Sequence, residues 1–141
     1  MQPGSVRHSF IRKAAMRVVL ALTRSTRLHG RRRIAFLLNS LIMPADGYVL
    51  STLPGTLLME LDLTDRLQRE LHYLGEYERE EINYILSALP PDGVFVDAGA
   101  NIGWHTLRAS RHLREGGKVY AFEPFPPNLL SLFGKTLFRW S

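Results

Sequence analysis

Val94–Asn128, VFVDAGANIGWHTLRASRHLREGGKVYAFEPFPPN, is the stretch that decides the fold. Val94-Phe95-Val96 is an apolar run without polar alternation, as expected of a strand buried on both faces in a parallel sheet. Asp97-Ala98-Gly99-Ala100-Asn101-Ile102-Gly103 follows directly. Trp104 to about Leu113 reads as a helix, stopped by Gly116-Gly117. Lys118–Phe122 is the next strand, with Glu123 at its tip. This is the strand–loop–helix–strand unit with which a nucleotide-binding α/β sheet begins.

Each position in the unit has a physical role. Gly99 and Gly103 let the chain turn tightly and let a ligand approach the backbone. The helix start at Ile102–Trp104 is expected to aim free N–H groups at the site. Asp97 ends a strand at the carboxyl edge, where open α/β sheets bind ligands. A carboxylate at Glu123 can accept hydrogen bonds from both hydroxyls of a ribose. The loop is D-x-G-x-N-x-G and lacks the G-x-G-x-x-G spacing of a dinucleotide site. An acidic residue at its start repels a diphosphate and suits an ammonium group. S-adenosylmethionine carries an adenosine and an ammonium but no phosphate, so the spacing favours this methyl donor over NAD.

The same residues resemble the FkbM family of S-adenosylmethionine-dependent methyltransferases. The family pattern is similar to V-D-x-G-A-N-x-G-x-x-T-L followed by G-x-V-x-A-F-E-P-x-P-x-N. Asp97, Gly99, Ala100, Asn101, Gly103, Thr106 and Leu107 match its first part. Val119, Ala121, Phe122, Glu123, Pro124, Pro126 and Asn128 match its second. Tyr77-Glu78 resembles the family's lead-in. The resemblance implies a Rossmann-like class I methyltransferase fold and O-methylation of a hydroxyl on a sugar or secondary metabolite. It implies that Asp97, Gly99, Asn101 and Gly103 line the methionine end of the cofactor and that Glu123 holds the ribose. Trp104 and His105 are placed to touch cofactor or acceptor, with packing the alternative for both. Such a sheet usually has seven strands, so the resemblance also implies a domain truncated after its second parallel strand. One strand edge and one sheet face are then expected to be uncovered, with poor solubility as the consequence.

The rest of the chain divides by charge. Of 141 residues with formal charge +5, residues 1–45 hold nine Lys/Arg and no Asp/Glu, whereas 46–141 carry thirteen acidic residues against nine basic ones. The reading is a basic helical segment (1–45), a small strand/helix lead-in (46–92) and the start of the cofactor-binding domain (93–141). Helices are expected at Ser9–Thr23 and Arg32–Met43, the second with Ile34, Leu37, Leu38, Leu41 and Ile42 as its apolar set. Arg31-Arg32-Arg33 sits between them, either attracted to anionic lipid head groups or nucleic acid or solvated as a linker. Strands are expected at Gly47–Ser51 and Thr56–Leu63. Further helices are expected at Arg66–Leu74, capped by Thr64-Asp65 and ended by Gly75, and at Tyr77–Leu89.

The basic segment admits two readings. Residues 7–33 make weak contact with an anionic membrane surface, or they form a solvated face with helices packed on the body. Little aromatic interleaving argues against nucleic acid. Ala14–Leu22 is too short to span a bilayer and is interrupted by Arg17. No secretory cleavage pattern follows it, so a cytoplasmic location is expected. The absence of cysteine excludes disulfides, a thiolate zinc site and a cysteine nucleophile. His8 and His29 have no second ligand-type residue at useful spacing, and no metal is expected.

Overall fold

The computed structural model describes residues 14–25 and 28–129. The fold is α/β and divides into two compact units, one up to Tyr77 and one from Glu78 onward. The boundary therefore falls within the 46–92 stretch, and the basic helices share a unit with the first sheet. His8, residues 9–13 of the expected Ser9–Thr23 helix and the end of the chain lie outside the described residues.

In the first unit, a helix over residues 14–23 (α1) precedes α2 (Arg31–Ile42), β1 (Tyr48–Leu53), β2 (Leu57–Asp62) and α3 (Arg66–Leu74). The two strands form an antiparallel hairpin with Tyr48 opposite Asp62 and Leu53 opposite Leu57. The alternation in TLLMELDL does what its period requires. Leu57, Met59, Leu61 and Leu63 are buried, whereas Leu58 is exposed. With Leu53, Leu71 and Tyr73 they form the centre of the unit. Asp65 caps α3 by accepting the Gln68 N–H at 2.9 Å, and Gly75 ends the helix in the left-handed region, as the sequence predicts.

Polar groups tie α1 and α2 into this core. Thr23 Oγ1 lies 2.7 Å from the Tyr73 carbonyl and 2.8 Å from the Val19 carbonyl. Arg24 donates to the Thr52 carbonyl at 2.9 Å and to the His72 carbonyl at 2.8 Å. The Tyr73 hydroxyl donates to Asn39 Oδ1 at 3.0 Å. Burial pushes the Tyr73 phenol up to about 12.

Two expectations for α2 are corrected. The helix starts at Arg31 rather than Arg32, so Arg31-Arg32-Arg33 forms its first turn instead of lying between helices. Leu38 and Ile42 of the expected apolar set pack against the core with the buried Ala35 and Asn39, whereas Leu37 and Leu41 face outward. Hydropathy alone ranks a carboxamide below leucine for the core. Asn39 is nevertheless buried because Tyr73 donates to its oxygen and its nitrogen reaches the Leu63 carbonyl at 3.4 Å.

The second unit comprises α4 (Arg79–Ala88), β3 (Val94–Ala98), α5 (Trp104–His112) and β4 (Lys118–Phe122), with a helical turn over 126–129. Helix α4 starts later than expected. Glu78 sits just before it in the left-handed region at φ 47°, and Glu80 and Glu81 remain in its first turn. Strands β3 and β4 pair in parallel, Val94 beside Lys118 and Ala98 beside Phe122. Helix α5 buries Trp104, Leu107 and Ala109. His112 Nε2 is 2.8 Å from the Leu89 carbonyl, which ties α5 to the end of α4.

Among the described residues β3 is not buried on both faces; one face of the two-stranded sheet is uncovered, as expected where flanking strands are lacking. Val94 and Val96 are 56% and 58% exposed, and Tyr120 and Phe122, beside them on the same face, are 49% and 59% exposed. Two strands with one helix cover a single face. The sequence of β3 is that of a central strand, and the described residues leave half of it open.

Candidate functional site

The loop between β3 and α5 turns back on the end of β4. Gly99 takes φ +85° immediately after β3, and its N–H donates to the Phe122 carbonyl at 2.8 Å. The Ala100 N–H donates to the same carbonyl at 3.0 Å. Asn101 follows at φ +51°, and its N–H donates to Glu123 Oε2 at 2.7 Å. Gly103, again at φ +85°, occupies the N-cap of α5; its N–H donates to the Ala100 carbonyl at 2.7 Å. Three left-handed residues in five explain why the loop is written with glycine and asparagine, the residues for which that region costs least. A Cβ on Gly99 would meet nothing within 4 Å, so the glycine serves the dihedral angle and the space beside it is open.

Glu123 stands at the tip of β4. Its Oε2 accepts from Asn101 and its Oε1 accepts the Phe125 N–H at 2.8 Å. The carboxylate thus sets both the glycine loop and the chain leaving β4. Charge-assisted bonds to backbone N–H groups are among the stronger ones available at a surface. Asp97 performs a different task. It is half-buried, and its Oδ2 accepts the Thr106 hydroxyl at 2.5 Å. That bond ties the first turn of α5 to the end of β3.

The sequence-derived residues therefore fall into three groups. Gly99, Asn101, Gly103 and Glu123 are brought together in one loop-and-tip arrangement. Asp97 borders it but is bonded into α5. Trp104 is only 5% exposed, and Arg108 lies over its ring at 5.6 Å from the centroid, so its indole is part of the packing under the loop. The N–H groups of Gly99, Ala100 and Asn101 are spent on β4 and do not aim outward. His105 Nε2 is buried and 3.6 Å from Glu78 Oε2, beyond hydrogen-bond distance.

Thr106 is the site residue whose role residue-type reasoning misses. Its signal is positional: a hydroxyl one turn into the helix, nine residues after the strand-end Asp97. The buried Ser51–His72 pair of the first unit is also unannounced in the sequence. Ser51 Oγ and His72 Nδ1 are hydrogen-bonded, and His72 Nε2 is 3.3 Å from Met16 Sδ. Both residues are almost fully buried. Burial, and secondarily the Arg24 charge, lower the His72 pKa to about 4. A neutral imidazole enclosed in this way is a structural group.

Among the described residues no cluster of three or more His, Asp or Glu could hold a metal ion, and no helix is long and apolar enough to cross a membrane. Comparisons with models of protein families, with curated protein sequences and with solved structures find no match to the chain.

Proposed function

We propose that the second unit is the beginning of a Rossmann-like, S-adenosylmethionine-dependent methyltransferase domain of the FkbM type, located in the cytoplasm. The observation that carries the reading is the Glu123 carboxylate at the tip of β4, held 2.7 Å from the Asn101 N–H of a glycine loop that leaves the neighbouring parallel strand. A carboxylate at that place suits a ribose diol. The Gly99, Ala100 and Asn101 N–H groups are engaged on Phe122 and Glu123 rather than offered to a diphosphate, which supports a phosphate-free nucleoside ligand over NAD. The residues fit the methyl donor. Glu123 would hold the ribose hydroxyls, and Asp97 would face the donor's ammonium beside Gly99, Asn101 and Gly103.

When bound, the donor supplies an electrophilic methyl on a sulfonium. That methyl would pass to an acceptor hydroxyl on a sugar or secondary metabolite, with the neutral thioether as leaving group and the hydroxyl proton released to solvent. The chain's own contribution is alignment and the placement of negative charge near the cation. Trp104 would stiffen the loop from beneath rather than contact the ligand.

Calorimetric titration of the full chain with S-adenosylmethionine and, separately, NAD tests the reading. The expected result is binding of the methyl donor alone, weakened at least about tenfold by Glu123→Ala, the loss that follows from removing hydrogen bonds to a charged group. Binding of NAD alone, or of neither, refutes it.

A further inference from the structure

The outward side of α2 and the groove beside it carry a surface that the methyl-transfer reading does not use. Phe36, Leu37 and Leu41 are 63%, 70% and 68% exposed. At about 100° per residue they fall within an arc of roughly 140° that also contains Arg33. Between α2 and α3 lies an open groove of about 710 Å³, lined by Arg32, Arg33, Arg66 and Arg69 together with Phe36 and Leu37. Glu70 is the single acidic residue of that lining, and it pairs with Arg32 at 2.8 Å. Four guanidinium groups against one carboxylate leave a strongly positive rim beside three large exposed apolar side chains.

We infer that this face docks on an anionic lipid surface. The charge selects an anionic occupant. The apolar side chains select one with a hydrocarbon layer behind the charge, which a free phosphate in water does not offer. The axial layout fits the same partner. The arginines cluster at the start of α2 and Leu41 lies near its end, about 13 Å further along. The C-terminal half of the helix enters the acyl boundary while the arginines remain among the phosphates. Arg69 stacks over the Phe36 ring at 4.6 Å and so covers the one aromatic face of the groove on which a nucleic-acid base would stack. Leucines about 70% exposed on a 12-residue helix are costly in water and productive at an interface.

The test is sedimentation of the full chain with phosphatidylcholine vesicles, with and without about one-third phosphatidylserine, at low and physiological salt. Anionic vesicles are expected to carry the protein down, neutral ones far less, with the difference shrinking as salt rises. Arg33→Gln with Arg66→Gln should lower partitioning about 10–30-fold. Leu37→Ser with Leu41→Ser should lower it about tenfold with circular dichroism unchanged, because both side chains are already in solvent. Residues 7–17 are untouched in both variants. Full binding in both therefore assigns the attraction elsewhere and overturns the inference, as does equal binding to neutral vesicles. A dimer seen by sedimentation equilibrium and abolished by Leu37→Ser with Leu41→Ser would also overturn it, by giving the face to a second copy of the chain.

Discussion

Acidification should loosen the first unit through one residue, His72. Its imidazole is 3% exposed, hydrogen-bonded to Ser51, and capped on its other side by Met16 Sδ. The carbonyl of the same residue receives the Arg24 guanidinium at 2.8 Å. Desolvation and that nearby positive charge both penalise the imidazolium, and the pKa falls from 6.5 to about 4. The folded form therefore binds this proton less readily than the unfolded chain does. Stability from this source is fully present above pH 6.5. It declines as pH falls from about 6.5 to about 4, and is constant below that. At about 1.4 kcal/mol per pH unit the loss amounts to roughly 3 kcal/mol, a large share of the stability of a small domain. The assay is urea denaturation of the full chain from pH 8 to pH 4, for the native protein and for His72→Gln. The variant removes this titration and leaves every other group in place, so the difference between the two profiles isolates His72. Native stability should fall more steeply than that of the variant through pH 6.5–4. Parallel profiles, or an NMR titration placing the His72 ring near 6.5, would refute the account of a desolvated, neutral imidazole.

Tyr73→Phe removes the donor to a buried Asn39 oxygen and should destabilise the first unit by about 1–3 kcal/mol, read from the urea midpoint. Thr106→Val takes away the hydroxyl bonded to Asp97; a loss of about 1–2 kcal/mol in the second unit is expected, followed by Trp104 fluorescence. Gly99→Ala should cost about 1–2 kcal/mol through its φ of +85° alone, since nothing crowds the added methyl. Gly99→Asn should cost less, and equal losses in differential scanning calorimetry would show that the dihedral is not the cause.

The parts of the chain that were legible in the sequence are those where one physical signal dominates. Strand β2 has a strict two-residue alternation, α3 has an aspartate cap and a terminal glycine, and both fall where the pattern puts them. The loop after β3 was legible because left-handed backbone favours glycine or asparagine, and all three such positions in the loop carry one. Helix α2 is legible only in part, because Leu38 and Ile42 pack inward as their spacing predicts while Leu37 and Leu41 do not. Its inward face also carries a polar network through Asn39, Tyr73 and Leu63, whose members lie up to 34 residues apart. A hydrophobic periodicity contains no term for a partner at that distance. The same holds for Ser51 and His72, 21 residues apart and on different elements. The start of α2 carries no capping side chain or acidic first turn to mark it in the sequence. Here Gly30 at φ 76° begins the helix without a side-chain cap, and Arg31 pairs with Glu76 at 2.7 Å.

Glu123 shows why structure and proposed function are coupled at the candidate site. Each of its oxygens accepts one backbone N–H, from Asn101 and from Phe125. An ionised carboxylate offers about four lone-pair positions, so about two remain for a diol without dismantling the loop. Loss of ligand binding in Glu123→Ala would therefore mix two effects, the missing acceptor and a loosened loop. Glu123→Gln separates them. Its amide keeps the size and one acceptor oxygen, but turns the other position into a donor that faces a backbone N–H. One loop bond is lost and the negative charge disappears. If the carboxylate acts mainly by fixing the loop, Glu123→Gln should lower the melting temperature of the second unit and weaken ligand by the same free energy. If it acts mainly on the ribose, binding should weaken about tenfold or more while the melting temperature moves little. Because the loop takes three of its five residues into the left-handed region, the loop-fixing role carries more weight in the free protein. The ligand-reading role can emerge only as an excess over it.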